Sequence, residues 1–305
     1  MGQRLGRGIN FGNALDVQRE GERGFRLEEP HFDTVKKAGF DTIRLPVKWS
    51  AHTDETPPYA IDPEFFGRVD WAVDNALGRD LNVVLNVHHY DQFCDAPEEH
   101  MARFLALWRQ IATRYADCSG RLYFELLNEP RDPMTAKPWN DVLPKALTAV
   151  RESNPSRFVI AGSAQANHID ALPELELPED DRVIVMVHYY SPFEFTHQGA
   201  DWLAGADRWL GTTWGGEADQ YAVRRDLTKA AAWAKQQNRQ LFVGEFGAYS
   251  KADMASRSRW TTFVRSEAER LDMSWAYWEF GSDFGAYDPQ RNTWREPLRQ
   301  ALLGK

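Results

Sequence analysis

The sequence predicts an α/β fold, a single (β/α)8 TIM barrel forming one domain over residues 1–305. Three observations lead there. Eight apolar, β-branched runs recur from end to end, and amphipathic segments separate most of them. The length and a hydrophobic content of 43% suit one large barrel core. A doubly wound sheet is the competing arrangement, but its G-x-G-x-x-G phosphate loop is missing from "NFGNALD", after the first run.

The first strand is expected at 8–13, "GINFGN". The stretch "VKKAGF" (35–40) reads as a helix C-terminus, with Lys36 and Lys37 in the last turn and Gly39 as the left-handed stop. The second strand is "DTIRLPV" (41–47). A helix over 62–78 opens on Asp62-Pro63, an N-cap and a first-turn proline, and keeps Phe65, Phe66, Val69, Val73 and Leu77 on one face. The third strand is "LNVVLNVHH" (81–89). In 100–116 the helical stripe is Phe104, Leu105, Trp108, Ile111, Ala112 and Tyr115. The fourth strand, "LYFELLNE" (122–129), precedes a helix over 139–151 striped by Trp139, Val142, Leu143, Ala146 and Val150. Strands five and six are "RFVIAGS" (157–163) and "RVIVMVHYY" (182–190). The irregular stretch 191–218 is long for a compact domain, which points to function. Strand seven is "QLFVGEFG" (240–247). The helix over 253–271 buries Trp260, Phe263, Val264 and Leu271, and "SWAYWEF" (274–280) closes the set. Near-continuous apolar runs of this kind indicate parallel strands buried on both faces.

Composition narrows the function. Lys and Arg number 36 against 45 Asp and Glu, a net charge of −9, which disfavours nucleic acid and anionic membrane surfaces. No apolar run reaches the roughly 18 residues a membrane span needs. The opening "MGQRLGRGIN" has no apolar signal-peptide core. Cys94 and Cys118 could pair but are read as reduced thiols. Twelve tryptophans suggest stacking surfaces as well as core.

In a parallel barrel, chemistry gathers at the C-terminal ends of the strands. Those ends carry, in order, Asn13 and Asp16, Arg44, His88 and His89, Asn128 and Glu129, His188 to Tyr190, Glu245, and Trp278 with Glu279. Each alone has a structural explanation; together, on one rim, they fit catalysis. Glu129 and Glu245 end strands four and seven, which face each other across the mouth. Two opposed carboxyls are the requirement for glycosidic cleavage.

The segments "RGINFGNALD", "TIRLPVKWS", "VVLNVHHY", "LLNEP", "HYYSPFEFTHQGADW", "VGEFGAY" and "WAYWEFGSDFGAYD" together resemble glycoside hydrolase family 5, the retaining cellulases and mannanases of clan A, in their Thermotoga-type endoglucanase branch. The resemblance runs from Gly8 to the end. It implies an endo-acting β-1,4-glucanase, with a mannanase or dual enzyme as the alternative. An inactive carbohydrate-binding barrel is a different class, disfavoured because both glutamates are present. Glu129 is implied as the acid/base and Glu245 as the nucleophile. Asn128 is implied at the sugar 2-hydroxyl, and Arg44 and Tyr190 around Glu245. His188 is implied beside Glu129. His88, His89 and Trp278 are implied around the sugar at the cleavage point, Asn13 and Asp16 further along the glycone side, and His197 and Trp202 on the long loop. The acid is expected to carry the raised pKa, and the carboxyls to stand about 5 Å apart. No cofactor or metal is implied. The partner is a polysaccharide, the chain a monomer, the location extracellular, with a cytoplasmic one as the alternative. One departure is "GSAQANH" after strand five, where some relatives place a Trp.

Other readings remain local. His88-His89 lacks the spacing expected to point two ligands at one metal ion. Tyr189, Trp49, Trp71 and Trp108 are read as packing, Glu279 as structural, and Phe193 and Phe195 as core anchors of the long loop.

Overall fold

The structure is a computed structural model and describes residues 4–304. The expected domain includes residues 1–3 and 305, which lie outside the described residues. Eight parallel strands close into a barrel in chain order. They are β1 (Arg7–Asn10), β2 (Thr42–Leu45), β3 (Asn82–Asn86), β4 (Leu122–Glu125), β5 (Val159–Gly162), β6 (Val183–His188), β7 (Leu241–Glu245) and β8 (Ser274–Tyr277). The longer helices are α1 (Glu29–Ala38), α2 (Pro63–Leu77), α3 (Pro97–Arg114), α4 (Ala136–Arg151), α5 (Glu217–Gln236), α6 (Met254–Arg270) and α7 (Glu296–Leu303). Short turns of helix, Ala164–Asn167 and Ile169–Glu174, replace a long helix between β5 and β6.

Local chemistry sets the helix ends. The Asp62 carboxylate accepts from the backbone of Glu64 and Phe65 and starts α2. Gly39 ends α1 at φ 104°, with Lys36 and Lys37 in the last turn. The strands alternate between two cores. Val83, Leu85 and Phe124 face the helices, while Val84, Tyr123, Ile160, Met186 and Phe242 fill the barrel interior. Above that inner layer the interior turns polar. Asn10 stands opposite Arg44 in register, and Asn86 opposite Glu125.

The strands stop earlier than the sequence suggested. β4 ends at Glu125, four residues before Glu129, and β1 ends at Asn10, three before Asn13. Beyond those ends the rim segments turn at Asn13, His89 and Glu129, which adopt φ of 59°, 51° and 47°. Such left-handed positions cost roughly 1–3 kcal/mol each for residues other than glycine, and they collect where function over-determines the backbone.

Candidate active site

A cavity of about 300 Å³ opens above the polar layer at the C-terminal end of the barrel. Ten of the thirteen residues expected at the site line it: Asn13, His88, His89, Asn128, Glu129, Tyr190, His197, Trp202, Glu245 and Trp278. Arg23, Asp283 and Phe284 also line it and were not picked out from sequence. Arg44, His188 and Asp16 are buried and lie outside the lining, Arg44 against Glu245 and His188 against Glu129. Among the described residues a larger depression, about 530 Å³, lies on the outer helical layer. Its one carboxylate, Glu267, is tied to Arg224 and Arg270, so it offers no opposed pair.

Arg44 organises the floor. All five guanidinium N–H groups are donated. Nε and Nη2 grip the two Glu125 oxygens at 2.6 Å each. Nη1 donates to Asn10 Oδ1 at 2.8 Å and to Glu245 Oε1 at 2.6 Å. The second Nη2 hydrogen goes to Asn128 Oδ1 at 2.7 Å. Asn128 is thereby oriented with its amide N–H₂ toward the cavity. Arg44 thus forms a buried ion pair with Glu125 and also holds Glu245. The other Glu245 oxygen accepts from the Tyr190 hydroxyl at 2.8 Å.

His188 lies between the two glutamates, its Nδ1 2.8 Å from Glu129 Oε1 and 3.6 Å from Glu245 Oε2. Donor atoms of Glu129, His188 and Glu245 all fall within 4.8 Å of one another.

Two further histidines have opposite polarity. Asn86 Oδ1 accepts from Val47 N–H, and its Nδ2 donates to Glu125 and to His88 Nδ1 at 3.0 Å. His88 therefore carries its proton on Nε2. Thr196 donates its hydroxyl to Tyr190 O at 2.6 Å and so accepts from His197 Nδ1, leaving His197 Nε2 an acceptor. Trp278 lies parallel to His88, centroids 5.8 Å apart. Gly12 permits this, because a Cβ there would sit 2.6 Å from the indole ring.

The spacing argument against His88-His89 is corrected. The left-handed His89 brings the two rings to 4.2 Å, and their donor atoms fall within 4.8 Å of Asp16. The tautomer of His88 opposes ligation instead, since its Nε2 bears hydrogen.

Asp16 folds under the β1 turn and accepts from the backbone of Asn13 and Ala14. Burial pushes its carboxyl up to about 6, against those hydrogen bonds. The native state then binds the proton more tightly than the unfolded chain. Its contribution is present at low pH and lost as pH rises from the ordinary value 3.8 to about 6. Relative to Asp16→Asn, the wild type should lose about 3 kcal/mol over that window in urea titrations. A pH-independent difference would place the ionised carboxylate at no cost and refute this.

A family model described as cellulase (glycosyl hydrolase family 5) matches residues 21–284. The chain belongs to glycosyl hydrolase family 5. The structure of Thermotoga maritima Cel5A with cellobiose is 47% identical, covers 98% of this chain and 97% of that one, and superposes with a TM-score of 0.97. The same protein with mannotriose, also 47% identical and covering 98% of this chain and 97% of that one, gives 0.96. Endoglucanase H of Acetivibrio thermocellus is 33% identical over 99% of this chain, which spans 33% of that protein's length.

Within this family-5 framework two expectations change. Burial pushes the Glu245 carboxyl up, opposed by His188, Arg44 and Tyr190. At Glu129 burial is outweighed by the hydrogen bond and charge of His188, and the carboxyl lies below its usual value. That ordering in the open cleft reverses the expected one, because His188 is hydrogen-bonded to Glu129 and not to Glu245. Phe193 does not anchor the loop; it is exposed and lies on His197, whereas Phe195 is buried. Where some relatives carry a Trp after strand five, Gln165, Ala166 and Asn167 form a left-handed turn at φ 55°, 54° and 60°.

Proposed function

We propose that the protein is an endo-acting, retaining glycoside hydrolase of β-1,4-linked glucans, including cellulose, carboxymethylcellulose and mixed-linkage β-glucan. One observation carries this reading: Glu129 and Glu245 oxygens lie within 4.8 Å of each other at the mouth of the barrel. A separation of about 5 Å supports direct attack by one carboxylate, whereas inversion needs about 6.5–9.5 Å to fit a water.

Glu245 is the nucleophile, because Arg44 and Tyr190 each donate to one of its oxygens and fix both. It bonds to the anomeric carbon as the bond to the leaving oxygen breaks. Glu129 gives its proton to that oxygen. A proton reaches Glu129 once the glycosidic oxygen competes for its place beside His188 and water is displaced, conditions that raise a carboxyl. In the second step Glu129 takes a proton from water, the water oxygen bonds to the anomeric carbon, and the ester to Glu245 breaks. The Asn128 amide donates to the sugar 2-hydroxyl. His88 Nε2–H and the His197 Nε2 lone pair present a donor and an acceptor to sugar hydroxyls, and Trp278 offers a stacking face. No cofactor or metal enters. The protein acts as an extracellular monomer.

Mannan is the second reading, favoured by the related structure that holds mannotriose. Side-by-side rates on barley glucan, carboxymethylcellulose, glucomannan and galactomannan separate the two, with EDTA as the metal control. Proton NMR of the first product should detect the β-anomer before mutarotation. An initial α-anomer would refute retention.

A further inference from the structure

The large apolar side chains that remain exposed are confined to one part of the molecule. Among the described residues they are Phe193, Trp202, Leu210 and Tyr221, at 44%, 50%, 52% and 65% exposure. All lie between β6 and the second turn of α5. Apolar residues left in water singly need no explanation, but a cluster beside a binding site does.

Ring contacts join Phe193 and Trp202 through His197, and Leu210 adjoins them through Trp209. Trp202 and His197 line the catalytic cavity. His197 meets Trp202 edge-on at 6.3 Å. Phe193 lies on the far side of His197, centroids 3.9 Å apart and 19° from parallel. Trp209 stands T-shaped to Phe193, centroids 6.0 Å apart, and Leu210 follows it in the chain. Neither Phe193 nor Leu210 lines the cavity, so the stripe leaves the pocket and runs along the rim.

The loop beneath it is stapled in place. Buried Gln198 donates to Phe195 O and Thr212 O and accepts from Gly211 N–H. Gly199, at φ 65°, donates to Ala206 O at 3.0 Å. A Cβ at Gly199 would stand 2.6 Å from Leu210 Cδ2, so the leucine rests on the bare backbone. A pre-ordered platform loses little entropy when it binds.

We propose that Phe193, Trp209 and Leu210 form an accessory rail that binds a neutral β-linked glucan chain where it leaves the catalytic pocket. This rests on the glucanase reading above. Flat aromatic faces match the C–H faces of pyranose rings. The loop carries three carboxylates, Glu194, Asp201 and Asp207, and one arginine, Arg208, which disfavours an anionic polymer or membrane. Continuity with the cavity through His197 and Trp202 makes the occupant the same chain that is cut.

The test compares the wild type with Phe193→Ala and with Phe193→Ala/Leu210→Ser, changes at exposed positions that leave the fold intact by melting curve. KM on barley glucan and long cello-oligosaccharides should rise roughly 3- to 10-fold, with kcat held. An aryl cellobioside too short to reach the rail should keep its kcat and KM, and Phe193→Trp should restore the polymer KM. An unchanged polymer KM, or equal losses on short and long substrates, overturns the rail. Retardation in gels cast with soluble β-glucan, measured in a Glu245→Gln background, reads binding without turnover. Retardation that Phe193→Ala abolishes supports the rail even if the hydrolysis reading fails. A wild-type dimer in sedimentation that Phe193→Ala dissociates would make this face an interface between copies and overturn the proposal.

Discussion

Glu129→Gln and Glu245→Gln should each lose at least about three orders of magnitude in kcat on β-glucan while keeping the wild-type circular dichroism spectrum. Both carboxyls stand at the rim of the cavity and neither holds the barrel together. Glu245→Gln keeps an acceptor for Arg44 or Tyr190 but loses the nucleophilic oxygen. Glu129→Gln keeps the shape but has no proton to give. The two variants should differ on an aryl glycoside whose leaving group needs no protonation. There, Glu129→Ala should keep its first step and fail in the second, so a burst of phenol precedes slow turnover. Glu245→Ala should give no burst. Equal losses on every substrate would dissolve the assigned roles.

Arg44→Met should cost the most stability of any single change at the site. Arg44 is fully buried, and all five of its N–H groups have acceptors. Burial opposes its charge, but Glu125 and Glu245 outweigh burial and hold its pKa above the ordinary value. Removing it leaves Glu125 without a counter-charge in a dry interior and Glu245 without its ion-pair partner beside the cavity, a loss of about 3–5 kcal/mol. Asn128 and Glu245 also lose the donors that orient them, so activity should vanish with the fold only weakened. Arg44→Lys should rescue little, because one ammonium cannot grip Glu125 with two parallel bonds and still reach three other acceptors. Arg44→Met/Glu125→Gln should recover stability relative to Arg44→Met, since it removes one orphaned charge, yet stay inactive. Denaturant unfolding of the four proteins measures this. A double variant no more stable than Arg44→Met would show that charge burial is not the cost.

The barrel and its mouth were legible because each depends on a local pattern. Apolar runs of strand length mark the barrel, and polar residues at their ends mark the rim. Trp49, Trp108 and Tyr189 pack as read, and Glu279 accepts hydrogen bonds from Gly281, Ser282 and Phe284. What escaped depends on departures from pattern. Strict alternation predicts that His88 and His89 diverge, and only the left-handed φ at His89 turns them together. The same conformation lifts Glu129 off the end of β4. Asn10, Asn86 and Glu125 were readable signals that went unused. A charged residue inside "LYFELL" faces the barrel interior and demands a partner, and Arg44 on β2 supplies it. Phe193 was misplaced because an aromatic residue is usually buried, and nothing in its sequence neighbourhood separates a core anchor from an exposed platform. The 20-residue helix α5 was not picked out, because its buried face is only Val223, Leu227, Ala230 and Ala234.

The central claim is that Glu245 forms a covalent bond to the anomeric carbon while Glu129 handles the proton. Inactivation with a 2-deoxy-2-fluoro cellobioside bearing a good leaving group, followed by peptide mass spectrometry, tests it most directly. One glycosyl unit per chain is expected, on the peptide carrying Glu245, with release of that unit when an acceptor sugar is added. A label on Glu129, or a fully active enzyme that forms no adduct, would contradict it.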